Sequence, residues 1–298
     1  MSVNIPNHYV QSYSTNIELL LQTRGGKFRS AVTTGSYVGK QASPVDQIGS
    51  VEMQPVTTRF APMGRVDAPT DRRWVFPSDF DLPQLIDSFD KLRLITDPES
   101  AYVRNAVMAA DRQYDRLIVN AFFGTAKTGE QGATSTSFTA ANEVDVAEGG
   151  ANSRLNVAKI KAVKELMETN DVDFEVEEAF IGITAKDHSA LLKDIEIIGK
   201  DFKNGEAPVL ISGRVTEFLG FKFIQSELIE RHLAGTNEVT LPVWVKSGMH
   251  LGMWNEMNHK VSQRDDLQGL PWQVYTTMTG GATRVEENKV YAIESYRA

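Results

Sequence analysis

Cysteine is absent from the 298-residue chain. That one absence excludes disulfides, thiolate metal sites and cysteine nucleophiles, and it fits a reducing compartment. No run of 18 or more apolar residues occurs, so nothing reads as a membrane-spanning helix. The opening MSVNIPNHYV has neither a basic stretch nor an apolar core, so no secretory leader is expected. An excess of positive charge is missing too: 31 Lys and Arg stand against 39 Asp and Glu, a net charge of −8. Proteins that grip nucleic acid draw affinity from neutralised phosphates, and this balance does not suggest strong adhesion of that kind.

Catalytic signatures are missing as well. No GxGxxG follows a strand, and no GxSxG occurs. Each candidate Gly-Lys pair is followed by the wrong residue for a phosphate loop: Phe28, Gln41 or Asp201. The histidines (His8, His188, His232, His250, His259) form no HExxH and no i,i+4 pair, and they read as structural or surface residues. Adjacent acids at Glu177-Glu178, Asp265-Asp266 and Glu286-Glu287 would point to opposite faces of a strand, which suits a solvated edge better than a shared dyad. No catalytic, cofactor-binding or metal-binding residue can be named, and no cofactor is expected.

What is present is an ordered series of parts. Apolar residues make up 41% of the chain and charged residues 23%, an ordinary folded composition. Residues 1–45 read as an extended arm: after Ile17–Leu21 comes RGGKFRSAVTTGSYVGK, too poor in apolar residues to bury itself. Residues 46–80 read as a long β-hairpin, with short β-branched and aromatic runs punctuated by Pro55, Pro62, Gly64 and Pro69. Arg59, Arg65, Arg72 and Arg73 alternate there with Asp67 and Asp71. Two readings stand: a solvated loop, or a projecting arm that pairs with a neighbouring subunit through guanidinium–carboxylate contacts.

The clearest element follows. Asp97-Pro98 is a helix start, and Gly124 a helix stop, so the spacing predicts a helix over 98–123. Its apolar stripe runs through Val103, Val107, Ala110, Tyr114, Leu117 and Ala121. At 1.5 Å per residue it is roughly 39 Å long, far beyond the usual helix of about 11–12 residues, and suggests a spine on which a sheet packs. Residues 125–152 read as a surface loop or open hairpin. From 153 the pattern alternates: a helix capped by Asn156 with Val157, Ile160, Val163 and Met167 inward, a strand at 179–184, a helix capped by Thr184, a loop at 201–209, and a strand pair turning at Gly220. After about residue 236 the chain is strand-rich, and these strands are expected to return beside the long helix.

This order, with LLLQTRGGKFRSAV, YVGKQASPVDQIG, FDKLRLITDPESAYVRNAVMAADRQYDRLIVNAFFG, GRVTEFLGFKFIQSELI and GGATRVEENKVYAIES, resembles the major capsid proteins of tailed bacteriophages, in a podovirus-like branch. The resemblance covers nearly the whole chain. It implies an α+β fold of the Hong Kong 97 type: N-terminal arm 1–45, extended hairpin loop 46–80, peripheral domain 81–152 with spine helix 98–123, central α/β axial domain 153–235, and C-terminal strands 236–298 returning to the peripheral domain. It implies a homo-oligomeric shell of pentamers and hexamers, assembled in the host bacterial cytoplasm and enclosing double-stranded DNA without sequence-specific binding. The hairpin would lie on a neighbour through Arg59, Arg65, Asp67, Asp71, Arg72 and Arg73.

Two departures refine this. Some relatives cross-link a loop lysine to an asparagine, but no lysine lies between Lys40 and Lys91 here, so a non-covalent shell is expected. The segment ahead of the loop is too short for a fused scaffolding domain, so a separate scaffolding protein is expected, with a portal and, as an optional addition, a decoration protein. The alternatives are an encapsulin-like compartment and a soluble α/β hydrolase.

Overall fold

The computed structural model describes residues 25–39, 43–55, 64–86, 99–149, 152–194, 215–233 and 237–297. Ile17–Leu21, Arg59, the Asp97-Pro98 helix start and the 201–209 loop fall outside them.

Three sheets and one long helix organise these residues. The first sheet has the order β1 (Thr33–Ser36), β12 (Met249–Gln263), β13 (Trp272–Arg284), β4 (Ser78–Ile86). The second has the order β7 (Glu143–Val144), β14 (Val290–Tyr296), β11 (Glu238–Val245), β8 (Ala179–Ile183), β10 (Phe221–Gln225), β9 (Glu217–Phe218). The third joins β2 (Ser43–Ile48), β3 (Thr70–Val75), β5 (Ala126–Thr128) and β6 (Thr134–Thr136). Helices α1 (Glu99–Phe123), α2 (Val157–Thr169), α3 (Ala185–Leu191) and α4 (Leu228–His232) complete the set.

The fold is α+β, with local signals in the predicted places. Asn156 accepts from the Lys159 amide at 2.9 Å, and Val157, Ile160, Val163 and Met167 are buried. Thr184 accepts from the Asp187 amide at 3.3 Å and starts α3. Between β9 and β10, Leu219 and Gly220 take φ of 53° and 88°, the paired left-handed conformation of a tight hairpin turn.

Helix α1 differs from its expected stripe. Val103, Val107, Leu117 and Ala121 are only half-buried, whereas Ala106, Ala110, Tyr114, Ile118, Val119 and Phe122 are buried. The helix widens its apolar face toward its C-terminal end because two partners meet it there. Phe122 packs on Trp244 of the second sheet with ring centroids 4.6 Å apart, while Tyr114 bonds the first sheet, its hydroxyl reaching the Asn255 carbonyl at 3.4 Å beside the β-bulge in β12. Trp244, fully buried, also stacks on Phe180 at 5.7 Å and packs on Phe28 at 5.9 Å.

The late strands divide, and this corrects the expectation that 236–298 returns wholly to the long helix. β12 and β13 do lie in the sheet beside α1, but β11 pairs with β8 and β14. The reason is length and composition. β11 and β14 are short and nearly continuously buried, as suits the centre of a covered sheet, while β12 and β13 are long ribbons, β12 buried only over its first four residues and β13 alternating over most of its length. Of the two readings of 125–152, the structure has the hairpin: β5 and β6 pair and extend β3.

The end of the arm is tied to α1 by a buried carboxylate. Asp115 accepts from the amides of Phe28 at 3.1 Å and Lys27 at 3.2 Å. Burial pushes its pKa up, while these backbone amides pull it down.

Candidate functional site

The hairpin stands out from this body because it has almost no core of its own. β2 and β3 pair antiparallel from Ser43↔Val75 to Ile48↔Thr70, and the Gly49 amide donates to Pro69 at 2.7 Å. Beyond that rung the described residues 50–55 and 64–67 are exposed. A two-stranded ribbon of this kind is marginal in isolation. Its geometry therefore depends on its base.

At the base, buried ionic contacts replace apolar packing. Arg73, 5% exposed, donates to Glu287 at 3.1 Å. Glu287 in turn accepts from Arg284 at 2.7 Å. Arg284, fully buried, donates to the Phe122 and Gly124 carbonyls at 2.7 and 3.0 Å and sits 5.6 Å from the Phe138 ring. One guanidinium thus closes the C-terminal end of α1, whose last carbonyls have no helical partner, and through Glu287 it fixes the hairpin. Trp74 adds a bond to the Gly129 carbonyl at 2.7 Å, and Gln47 one to Val285 at 2.5 Å.

The arginines and aspartates predicted as contact residues separate by position. Arg73 is turned inward and holds its own chain. Arg72 bonds Asp46, its register partner across the hairpin, at 2.6 Å, and Arg65 bonds Asp67 at 2.7 Å. Asp71 accepts from the Arg72 amide at 2.8 Å. Arg65, Asp67 and Asp71 are exposed and Arg72 is half-buried, all four along the hairpin. In the pair Glu286-Glu287, Glu286 is exposed, but Glu287 lies half-buried between two guanidiniums. Glu177 and Glu178 are likewise engaged, with Lys289 at 3.0 Å and with Lys222 at 2.5 Å.

Sequence reasoning missed the apolar content of the arm. Ile48, Val51, Met53 and Val66 are 78%, 56%, 100% and 49% exposed. The signal was available as apolar residues inside a polar run, but a strand's buried face has the same letters.

His250 is a structural residue, bonded through Nδ1 to Thr33 at 3.0 Å and through Nε2 to the Tyr37 hydroxyl at 2.7 Å; burial lowers its pKa. No group of three or more metal-ligating side chains occurs among the described residues.

The family model described as phage capsid protein matches residues 5–296. No curated protein sequence matches. Among solved structures, the chain is similar to the capsid of cyanophage Pam1, with a TM-score of 0.74 and 11% identity over 100% of both chains. It is also similar to the acid-stable capsid of Helicobacter pylori bacteriophage KHP30, with a TM-score of 0.72 and 11% identity over 100% of both. Against the capsid of cyanophage P-SCSP1u the TM-score is 0.69 and the identity 14%, covering 96% of this chain and 93% of that one.

Proposed function

The chain belongs to the phage capsid protein family, and from that premise we propose that it is the major capsid protein, building pentamers and hexamers of an icosahedral head around double-stranded DNA without catalysing a reaction. The observation that carries this is the asymmetry between a self-sufficient body and an exposed ribbon fixed rigidly at its base. A projection without a core is stable as an element only if another surface covers it. Many modest interfaces of this kind sum to a durable closed shell.

In this reading the second sheet with α2, α3 and α4 gathers around the symmetry axes, and the first sheet with α1 forms the periphery. The hairpin lies on an adjacent copy, with Arg65, Asp67, Asp71 and Arg72 along the contact. The shell is non-covalent, since the hairpin has no lysine to donate. Assembly takes place in the host cytoplasm with a separate scaffolding protein and a portal, and a decoration protein is an optional addition.

Mass spectrometry of purified virions tests the reading: this chain is expected as the most abundant protein, and a minor share overturns it. Denaturing gels of mature particles should give a single band near 33.1 kDa; a ladder of covalent oligomers rejects the non-covalent shell.

A further inference from the structure

We propose that His250 is a proton-operated latch: neutral, it locks the edge strand β1 onto β12, and on mild acidification it lets that strand part while the body of the chain stays folded.

β1 has little else to hold it. Thr33–Ser36 contains no large apolar side chain, alternates between half-buried and exposed, and lies at the edge of its sheet. It pairs with β12 from Thr33↔His250 to Ser36↔Met253, and the Tyr37 amide adds a bond to the Met253 carbonyl at 2.8 Å. The strand joins the arm, anchored at Phe28, to the hairpin strand that starts at Ser43. Its side-chain tie is the imidazole of His250, which bonds Thr33 and Tyr37 at once.

The polarity of these bonds is fixed. The Thr33 hydroxyl spends its hydrogen on the Met249 carbonyl at 2.7 Å, so toward His250 Nδ1 it accepts. Nδ1 therefore carries the ring proton, and the bare Nε2 accepts from the Tyr37 hydroxyl at 2.7 Å. A second proton at Nε2 meets that hydroxyl hydrogen head-on. Tyr37 must turn its hydrogen away, where the Trp254 ring lies 5.4 Å off. A Cβ on Gly35 would fall 2.7 Å from the Tyr37 oxygen and 3.0 Å from Nε2, so the space is too tight for a bridging water.

Among the described residues, no carboxylate stands ready to balance the new charge. From β1 the ring meets Thr33 and Tyr37, and opposite it on β13 is Thr283. Val75 of β3 closes over Gly252 on the same face. The charges nearest in sequence are turned elsewhere: Arg284 to the end of α1, and Arg73 to Glu287. Burial accordingly holds the His250 pKa below its ordinary 6.5. The closed joint resists a proton that the open joint takes up. Below pH 6.5, opening is favoured up to about tenfold per pH unit, until the lowered value is reached. A joint tied chiefly by one ring can open without global unfolding.

Amide exchange of the full chain tests this, with exchange times rescaled for the intrinsic acid dependence of the chemistry. Between about pH 7.5 and about pH 5.5, peptides covering 33–39 are expected to open about fivefold or more, while those covering 157–167 of α2 stay unchanged. His250→Gln should remove the acid response. If that variant does not fold, Tyr37→Phe serves: it should open more at neutral pH and respond less to acid. Deuterium exchange at the imidazole C2 position, followed by mass spectrometry, needs no variant and should place the His250 titration below 6.5. A titration at or above 6.5 overturns the latch. So does opening of 33–39 that ignores pH, that keeps its acid response in either variant, or that rises only together with 157–167.

Discussion

The region around Trp244 and the hairpin are held together by opposite means. Around Trp244, aromatic rings from the arm, α1, β8 and β11 exclude water, and even the indole N–H is satisfied by the Ala31 carbonyl at 2.8 Å. The hairpin has strand pairing, a few exposed ion pairs and one buried ionic relay at its base. The described body buries its apolar residues within one chain. The described hairpin leaves Ile48, Val51 and Met53 exposed.

The core should respond most strongly to substitution. Trp244→Ala should lower subunit stability by about 3–5 kcal/mol, since a buried aromatic leaves both lost transfer energy and a cavity; chemical denaturation of the subunit measures it. The relay comes next. Arg284→Met should cost roughly 3 kcal/mol, because it leaves Glu287 half-compensated and the α1 carbonyls bare. It should also loosen the hairpin, read as faster amide exchange across 43–48 and 70–75 than Trp244→Ala produces at equal stability. If the two variants loosen the hairpin alike, the relay is not its anchor.

A third test uses acidity. The His250 pKa is lowered by burial, so below its ordinary value of 6.5 the unfolded chain binds a proton the folded chain resists. Stability contributed by neutral His250 is therefore present above pH 6.5 and falls as pH drops from 6.5 toward the lowered folded value. Thermal midpoints across that window should decline in the native protein and decline less in His250→Gln. A smaller effect is expected at the α2 cap, where Asn156→Ala should cost about 1 kcal/mol in the same denaturation assay. The smallest belongs to the arm itself: Arg65→Ala should leave the thermal midpoint of the isolated subunit unmoved, because its pair with Asp67 lies in open solvent.

What was legible in the sequence follows the same division. Local signals carried far: the Asn156 and Thr184 caps, the Gly220 turn and the long helix are each set by neighbours within a few residues. Long-range pairing was not legible. β11 and β14 look like any late strands, and only the burial of both their faces shows that they sit at the centre of the second sheet. The α1 stripe was read as one-sided because periodicity reports one partner at a time, and Ile118, Val119 and Phe122 answer to a second. Arg73 and Glu287 were hidden differently. Charged letters suggest solvent, and nothing local shows that residues this far apart will neutralise each other inside.

On the proposed function, the hairpin of one copy rests on the body of another. A cryo-electron microscopy reconstruction of the intact head checks this. The prediction is that this chain forms the shell and that density for residues 43–75 leaves its own subunit and ends on a neighbour. Density in which those residues fold back over their own α1, or a shell built from a different chain, would contradict it.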